Sequence, residues 1–421
     1  MIHKFQSVKG TKDLLPTETP RWRELEETVH KFISRWGYLE IRTPTFEPTE
    51  LFVRSSGEGS DIVTKQMYTF EDQSQTSITL KPELTAPVIR AYIQHNLAKQ
   101  GGTTKLYYID SLYRQERPQA GRLRQFHQFG VEAIGSSNPE QDAEVIALAY
   151  LILLDLGIED LELYLNSIGS EETRKRYRKI LSEYFLEHEQ QLSDVSRERL
   201  HKNPLRILDT KDKKEQTLLS NAPKIYDYLT QDDQDHYEAV KHHLTELEIP
   251  FIQHDLLVRG LDYYTRTTFE ITSSKLGAQN ALCGGGRYDN LVESLGGPPT
   301  PAIGFAAGIE RILMAQKDTR TGEDKPDRIY VVCATENARD FVLKLTMDLR
   351  KQGLPVEFDA LRRSLKAQMR DANRLKCTFA VIIGEKELDS ETIQLKNLTT
   401  SEQKTVQLGT LITYLTKELK L

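Results

Sequence analysis

Residues 105–134 read KLYYIDSLYRQERPQAGRLRQFHQFGVEAI, and the pattern in this stretch decides the fold. Lys105 to Arg114 and Arg124 to Ile134 are rich in aromatic and β-branched residues, and a polar loop containing Pro118 and Gly121 joins them. That arrangement predicts an antiparallel pair of strands. Side chains alternate across a strand, so Gln128 and Glu132 share one face of the return strand, while Arg114 and Glu116 begin a set at the end of the outgoing one. Polar groups facing one way on an otherwise apolar hairpin are costly to bury unless something pairs with them. The hairpin therefore reads as the floor of a pocket for a polar ligand. A surface hairpin laced with salt bridges is the competing reading.

Upstream, Pro20 to Trp36 places Trp22, Leu25, Val29, Phe32, Ile33 and Trp36 on one helical stripe, with Thr19 as cap, Pro20 in the first turn and Gly37 as stop. Tyr38 to Arg42 follows as a strand halted before Pro44. Downstream, Pro139 to Leu156 reads as a buried helix between Asn138 and Gly157. From Glu171 to about Glu248 the chain is charge-dense, has no Gly and only two Pro, and follows a helical pattern. Strand signals resume at Thr267 to Thr272 and lead through Gly284-Gly285-Gly286. After a polar linker, Arg320 to Lys325, strand Ile329 to Cys333, helix Ala338 to Gln352, strand Val356 to Phe358, helix Ser364 to Leu375 and strand Phe379 to Ile383 alternate. Such alternation implies a small, mainly parallel α/β domain.

With 421 residues the chain exceeds one core, and its 38% apolar content suits ordinary folded domains. Met1 to Gln6 lacks the apolar core of a secretory signal, and the longest apolar stretch, Val145 to Leu154, falls far short of the roughly 20 residues that span a bilayer. A soluble, cytoplasmic protein with no membrane partner is expected. Cys283, Cys333 and Cys377 have no paired metal-ligand spacing and read as inert thiols, and no metal site is expected. A net charge of −6 argues against a protein that coats DNA or other nucleic acid through bulk charge. Residues 326–421 nonetheless carry sixteen Lys plus Arg against thirteen Asp plus Glu, +3, which permits a local RNA contact there. Arg363, Lys366, Arg370 and Arg374 fall on one stripe of that region, for which a solvated face is the default.

Three arginine-centred blocks stand apart from this background: Arg114-Gln115-Glu116, Arg259 within Val258-Arg259-Gly260-Leu261-Asp262-Tyr263-Tyr264, and Arg311 closing Gly304-Phe305-Ala306-Ala307-Gly308-Ile309-Glu310-Arg311. Holding a polyphosphate beside a carboxylate while negative charge builds up requires fixed cations on several sides. The first and last blocks resemble the second and third signature motifs of class II aminoacyl-tRNA synthetases. The Arg259 block and Cys283-Gly284-Gly285-Gly286-Arg287-Tyr288-Asp289 resemble the two signatures peculiar to the histidyl-tRNA synthetase family. This resemblance runs from Lys9-Gly10-Thr11-Lys12-Asp13 into the C-terminal domain.

The resemblance implies a mixed α/β protein: an α+β catalytic core with an antiparallel sheet flanked by helices (1–170 and 251–322), a helical insertion (171–250) and a C-terminal α/β anticodon-binding domain (326–421). It implies a ligase that joins histidine to tRNA(His) through ATP, with Mg2+ on the phosphates, working as a homodimer built on the first helix and strand. Arg259, Arg114 and Arg311 would be catalytic, and Arg114, Glu116, Arg122 and Arg311 would hold ATP. Glu83, Leu84, Thr85, Gln128, Glu132, Arg259, Tyr263 and Tyr264 would hold L-histidine, with Glu132 and Tyr264 at the imidazole and Glu83 at the α-amino group. Where the family has Arg-Pro-Glu-Gly-Thr, this chain has Lys81-Pro82-Glu83-Leu84-Thr85, which changes the loop but keeps Glu and Thr.

Each assignment has a plainer rival. Glu83 could be a helix cap, Glu132 and Tyr264 core residues bonded to backbone, and Arg259 a buried arginine tied to Asp262. The glycine cluster does not match the Rossmann spacing and reads as room for close backbone approach. The synthetase-like regulatory subunit of ATP phosphoribosyltransferase, which senses histidine without charging tRNA, is the second functional hypothesis. That paralogue typically lacks the C-terminal domain and part of the ATP set, whereas Arg114, Glu116, Arg259, Arg311 and residues 326–421 are all present here.

Overall fold

A computed structural model describes residues 5–57, 59–316 and 328–419. The linker Arg320 to Lys325 lies outside the described residues. The chain divides into two compact units, one before residue 318 and one after it.

The hairpin forms as its sequence requires: Thr104–Tyr113 pairs antiparallel with Gln125–Ile134, with Asp110 opposite Gln128 and Leu106 opposite Glu132. It nucleates an eight-stranded sheet in the order Leu39–Glu40, Thr104–Tyr113, Gln125–Ile134, Ala302–Gly308, Ala281–Arg287, Thr265–Ser273, Leu161–Ser167, Ile252–Gln253. The inner pairings are antiparallel, and only the two short edge strands run parallel to their neighbours. Alternation then sorts the side chains. Phe129, Val131 and Ala133 enter one apolar core together with the helices Thr19–Ser34, Pro139–Asp155 and Gln231–Glu246. Even-numbered residues of the same strand face the opposite side, where the cavity described below lies.

The helix Thr19–Ser34 buries Trp22, Leu25, Val29 and Ile33, each contributing on the order of 1.5–3 kcal/mol by leaving water. Thr19 is not its cap. A turn at Leu15 feeds the helix directly, the Glu18 and Thr19 amides donate to the Leu15 carbonyl, and Glu18 occupies the capping position with its carboxylate paired to Lys12 and not to a helix amide. Gly37, at φ +79°, ends the helical run as the sequence indicates. The charge-dense block forms helices Glu171–Glu187, Asp194–Lys202, Lys213–Leu219 and Gln231–Glu246. The last of these sends Tyr237, Val240 and Leu244 into the core under the sheet, while Tyr177, Leu181 and Phe185 of the first join the core on the cavity side. A small sheet of Phe46–Pro48, Ser77–Leu80 and Tyr68–Glu71, which carries no sustained apolar alternation, precedes the helix Thr85–Gln94.

In the second unit Val356–Phe358, Ile329–Cys333 and Phe379–Ile383 are parallel, as the alternation of elements predicts. Thr392–Asn397 and Gln403–Gln407 then add two antiparallel strands that the sequence does not mark plainly. Their apolar pattern is thin, because Gln403–Gln407 is a largely exposed edge.

Candidate active site

Small residues in the central strands make room for polar side chains beneath the sheet surface. Gly304 lies opposite Glu132, and a Cβ there would stand 1.9 Å from a Glu132 carboxylate oxygen. A Cβ at Gly130 would meet the Tyr108 hydroxyl at 2.5 Å, and one at Gly284 would meet the Arg259 guanidinium at 2.0 Å. The glycine-rich strands thus admit this chain's own carboxylate and guanidinium, and Gly284, Gly304 and Gly308 also border the cavity.

Over these strands opens a cavity of about 230 Å³. Its cationic wall is built from three separate elements. Arg114, just past the outgoing strand, donates from Nε to the Pro82 carbonyl at 2.8 Å, and its guanidinium lies 5.2 Å from the Phe126 ring centre. Arg311, in helix Ile309–Ala315, donates from Nε to the Gly121 carbonyl at 3.0 Å and from Nη1 to the Ala281 carbonyl at 2.9 Å. Arg259 pairs with Glu270 of Thr265–Ser273, and its Nε is buried without a partner. Arg122 is exposed and pairs with Glu116 at 3.3 Å.

Charge on this wall is undercompensated. Burial, then the positive charges of Arg122 and Arg114, push the Arg311 guanidinium below its ordinary pKa. Burial likewise lowers Arg114, against the pull of Glu116 and Glu83. At Arg259 burial acts in the same direction, but Glu270 outweighs it and holds the guanidinium above its usual value. Arg114, disfavoured by burial, and Arg311, disfavoured by burial and by neighbouring arginines, make a site that gains from an anionic ligand.

The other end is built from carboxyl, hydroxyl and aromatic groups. Glu83 accepts from the Thr85 amide at 2.8 Å and the Ala86 amide at 3.0 Å, so it caps helix Thr85–Gln94 while also forming cavity wall. Burial raises its pKa, and the two amides partly offset this. Leu84 is 2% exposed and joins the apolar core beside the cavity. Lys81, fully buried, reaches the Asp110 carboxylate at 2.5 Å and the Thr43 carbonyl at 3.2 Å, tying the loop to the outgoing strand. The rings of Tyr263 and Tyr264 stand 4.7 Å apart, with Tyr288 5.6 Å from Tyr263.

Arg114, Glu116, Arg122, Arg259, Arg311, Glu83, Leu84, Thr85, Gln128, Tyr263 and Tyr264 all line this one cavity. Glu132 differs. Its carboxyl, 1% exposed, lies behind the wall and accepts from Thr85 Oγ1 at 2.9 Å, from the Tyr108 hydroxyl at 3.2 Å and from the Tyr288 hydroxyl. Burial raises it to about pKa 8 despite these donors. A buried carboxyl must be paired, and here hydroxyls of the protein already pair it. The rival reading that tied Arg259 to Asp262 does not hold: Asp262 accepts from Arg206 and Asn203, each at 3.0 Å, and Arg259 pairs with Glu270.

Phe126, Tyr108 and Tyr288 are wall residues that the sequence reading passed over. Phe126 was legible, since it lies two positions before Gln128 on the same strand face. Tyr288 stood within a quoted motif, but nothing in its spacing pointed to Glu132. In the second unit Arg363 pairs with Asp359 and Asp371, and Arg374 with Asp371, so this part of the basic stripe is engaged on its own surface. Among the described residues no cluster of three or more His, Cys, Asp or Glu could hold a metal ion, and no helix is long and apolar enough to cross a membrane.

Comparison with known proteins gives this cavity its context. The family model for histidyl-tRNA synthetase matches residues 10–312, and that for an anticodon binding domain matches residues 328–418. The histidine–tRNA ligase of Geobacillus thermodenitrificans is 47% identical over 423 residues, covering 99% of both chains. That of Caldanaerobacter subterraneus subsp. tengcongensis is 47% identical over 397 residues, covering 94% of this chain and 95% of the relative. The crystal structure of apo S. aureus histidyl-tRNA synthetase superimposes with a TM-score of 0.81 at 38% identity, covering 98% of this chain and 99% of that one. The chain belongs to the histidyl-tRNA synthetase family.

Proposed function

We propose that this protein activates L-histidine with ATP and transfers the histidyl group to the 3′ end of tRNA(His). One observation carries the reading: three arginines from separate segments and a cluster of carboxyl, amide and phenol groups share a single cavity of about 230 Å³. A histidine carboxylate oxygen attacks the α-phosphorus of ATP, the bond to the β-phosphate oxygen breaks, and pyrophosphate leaves with that electron pair. Arg259 spans the carboxylate and the α-phosphate, Arg114 holds the α-phosphate from the hairpin side, and Arg311 holds the γ-phosphate. A planar guanidinium contacts two anions at once and neutralises their repulsion. In the second step a terminal ribose hydroxyl of the tRNA attacks the histidyl carbonyl and AMP departs. Alignment and fixed charge supply the acceleration.

Glu116 and Arg122 complete the ATP side, with Mg2+ arriving as the ATP complex. Glu83, Thr85 and Gln128 receive the α-amino group. Tyr264 meets the imidazole directly, with Tyr263 beside it, and Glu132 acts from behind Tyr108 and Tyr288. An amino acid without ring nitrogens would offer the buried Tyr264 hydroxyl no polar partner, which disfavours it. Residues 328–418 read the anticodon, residues 171–250 form the insertion, and the active species is a homodimer that uses helix Thr19–Ser34. Histidine-dependent ATP/pyrophosphate exchange, run against a panel of amino acids and followed by charging of tRNA(His), tests the reading. Exchange with a different amino acid, or none with histidine, would overturn it, and exchange without charging would favour a histidine-sensing protein.

A further inference from the structure

Residues 257–264 form an irregular loop that contributes Arg259, Leu261, Tyr263 and Tyr264 to the cavity. Positions 258–264 belong to no strand or helix. Neither strand nor helix fixes the loop, so side chains must hold it. Its apolar residues pack into the core on the cavity side, and Arg259 pairs with Glu270.

At the loop's start Asn166 Nδ2 donates to the Leu257 carbonyl at 3.0 Å; toward its end the polar anchor is Asp262, and the three groups that hold Asp262 come from the helical segment 171–209. Arg206 Nη2 and Asn203 Nδ2 each donate to Asp262 Oδ1 at 3.0 Å, and Arg174 Nη1 donates to the Asp262 carbonyl at 3.2 Å. Arg206 is 13% exposed at its side chain, and its Nη1 reaches the Gly59 carbonyl at 2.9 Å, which joins a third segment to the same point. Gly57 closes the site from that side: a Cβ there would stand 2.7 Å from Asp262 Oδ2. Asp262, Asn203, Arg206 and Arg174 are not part of the cavity wall.

We propose that Asp262 and the insertion residues Arg206, Asn203 and Arg174 are positioning residues that hold the histidine-binding loop, so that the insertion sets affinity for the amino acid without touching it. The inference rests on the histidine-activating reading above. Charge-assisted bonds in a partly buried setting are strong enough to select one loop conformation among several. The loop carries Tyr264 and Arg259, whereas Arg114 and Arg311 reach the cavity from other elements. Arg259 touches both substrates, but Tyr264 serves histidine alone and ATP keeps Arg114 and Arg311, so loss of the anchor acts more strongly on histidine than on ATP.

The test is steady-state ATP/pyrophosphate exchange by the full-length protein, with the KM of histidine and of ATP measured separately. Arg206→Gln is expected to raise the histidine KM about tenfold, the effect of losing one charge-assisted bond, while the ATP KM stays within about twofold. Arg206→Lys, which keeps the charge but cannot span Asp262 and Gly59 in the same planar way, falls between. Arg206→Gln placed on Asp262→Asn adds little further, because both remove one joint. Asn203→Ala removes a neutral bond only, and its smaller rise in histidine KM keeps the test open should the arginine variant fold poorly. A merely structural role would lower kcat through a smaller active fraction and leave both KM values alone. That result, or a parallel rise in both KM values, overturns the proposal. A wild-type protein inactive in histidine exchange overturns the functional reading and this proposal with it.

Discussion

Arg287 and Arg259 are both drawn into the interior, and their surroundings differ in kind. Arg287 is fully buried and every arm is engaged: Nε donates to Asp142 at 3.0 Å, Nη1 to Asp289 at 3.0 Å and to the Ser136 carbonyl at 2.8 Å, and Nη2 to Asp142 and the Asn138 carbonyl. Asp142 is satisfied in turn by His236 at 2.8 Å and Thr267 at 2.6 Å, and although burial opposes its ionisation, Arg287 keeps its pKa below the ordinary value. Arg259 has one carboxylate and a free Nε, and it borders open space. A closed network fixes elements to one another, whereas an open one is set to receive a ligand.

Substitution should separate the two roles, and the largest effect belongs to the open arginine. Arg259→His is expected to reduce histidine-dependent exchange on the order of a thousandfold, about 4 kcal/mol of transition-state stabilisation, with thermal unfolding nearly unchanged. Wild-type exchange in that variant would remove Arg259 from the chemistry. Arg287→Met should do the reverse, costing about 3–5 kcal/mol of stability by stranding the Asp142 carboxylate, as a lowered unfolding midpoint would record. An unchanged midpoint would mean that the closed network is dispensable.

Glu132 lies between these extremes, and pH exposes it. With its folded pKa raised to about 8 from an ordinary 4.5, the folded protein holds a proton that the unfolded chain has lost across that window. Its contribution to stability therefore falls as pH rises from about 4.5 to 8, by at most about 1.4 kcal/mol per pH unit. Glu132→Gln lacks this dependence, so its unfolding midpoint should gain on wild type between pH 5.5 and 7.5. A constant difference would show that the carboxyl is ionised throughout. The same variant should raise the histidine KM, and an unchanged KM would take Glu132 out of recognition. The smallest effect is expected at Arg122→Ala, whose exposed pair with Glu116 is worth roughly 0–1 kcal/mol in stability. A large stability loss there would contradict its exposure.

Much of this was legible in the chain because it rests on periodicity. The hairpin, the first helix with its Gly37 stop, and the first five alternating elements of the second unit follow from side-chain spacing alone. The three arginines were found because their blocks resemble known signatures, although nothing in the spacing says that residues 114, 259 and 311 meet. What stayed hidden depends on contacts between distant segments. A tie between Arg259 and Asp262 was the rival to a ligand-binding Arg259, yet the partner of Arg259 is Glu270 on the adjoining strand, which its spacing in the sequence does not mark. Glu132 was expected to face the ligand, and alternation placed it on the correct side of the sheet. Depth is not encoded by alternation, so the hydroxyls in front of it could not be foreseen.

The 1.9 Å that separates a hypothetical methyl at Gly304 from the Glu132 carboxylate has a bearing on how the pocket can change. Position 304 is not free to grow: a side chain there meets the carboxylate and the neighbouring strand's backbone together. Natural or engineered shifts in amino-acid preference that pass through this spot should therefore fall on position 132 while 304 stays glycine, because the Val131 carbonyl would still stand 2.4 Å from a methyl at 304 after residue 132 had been shortened.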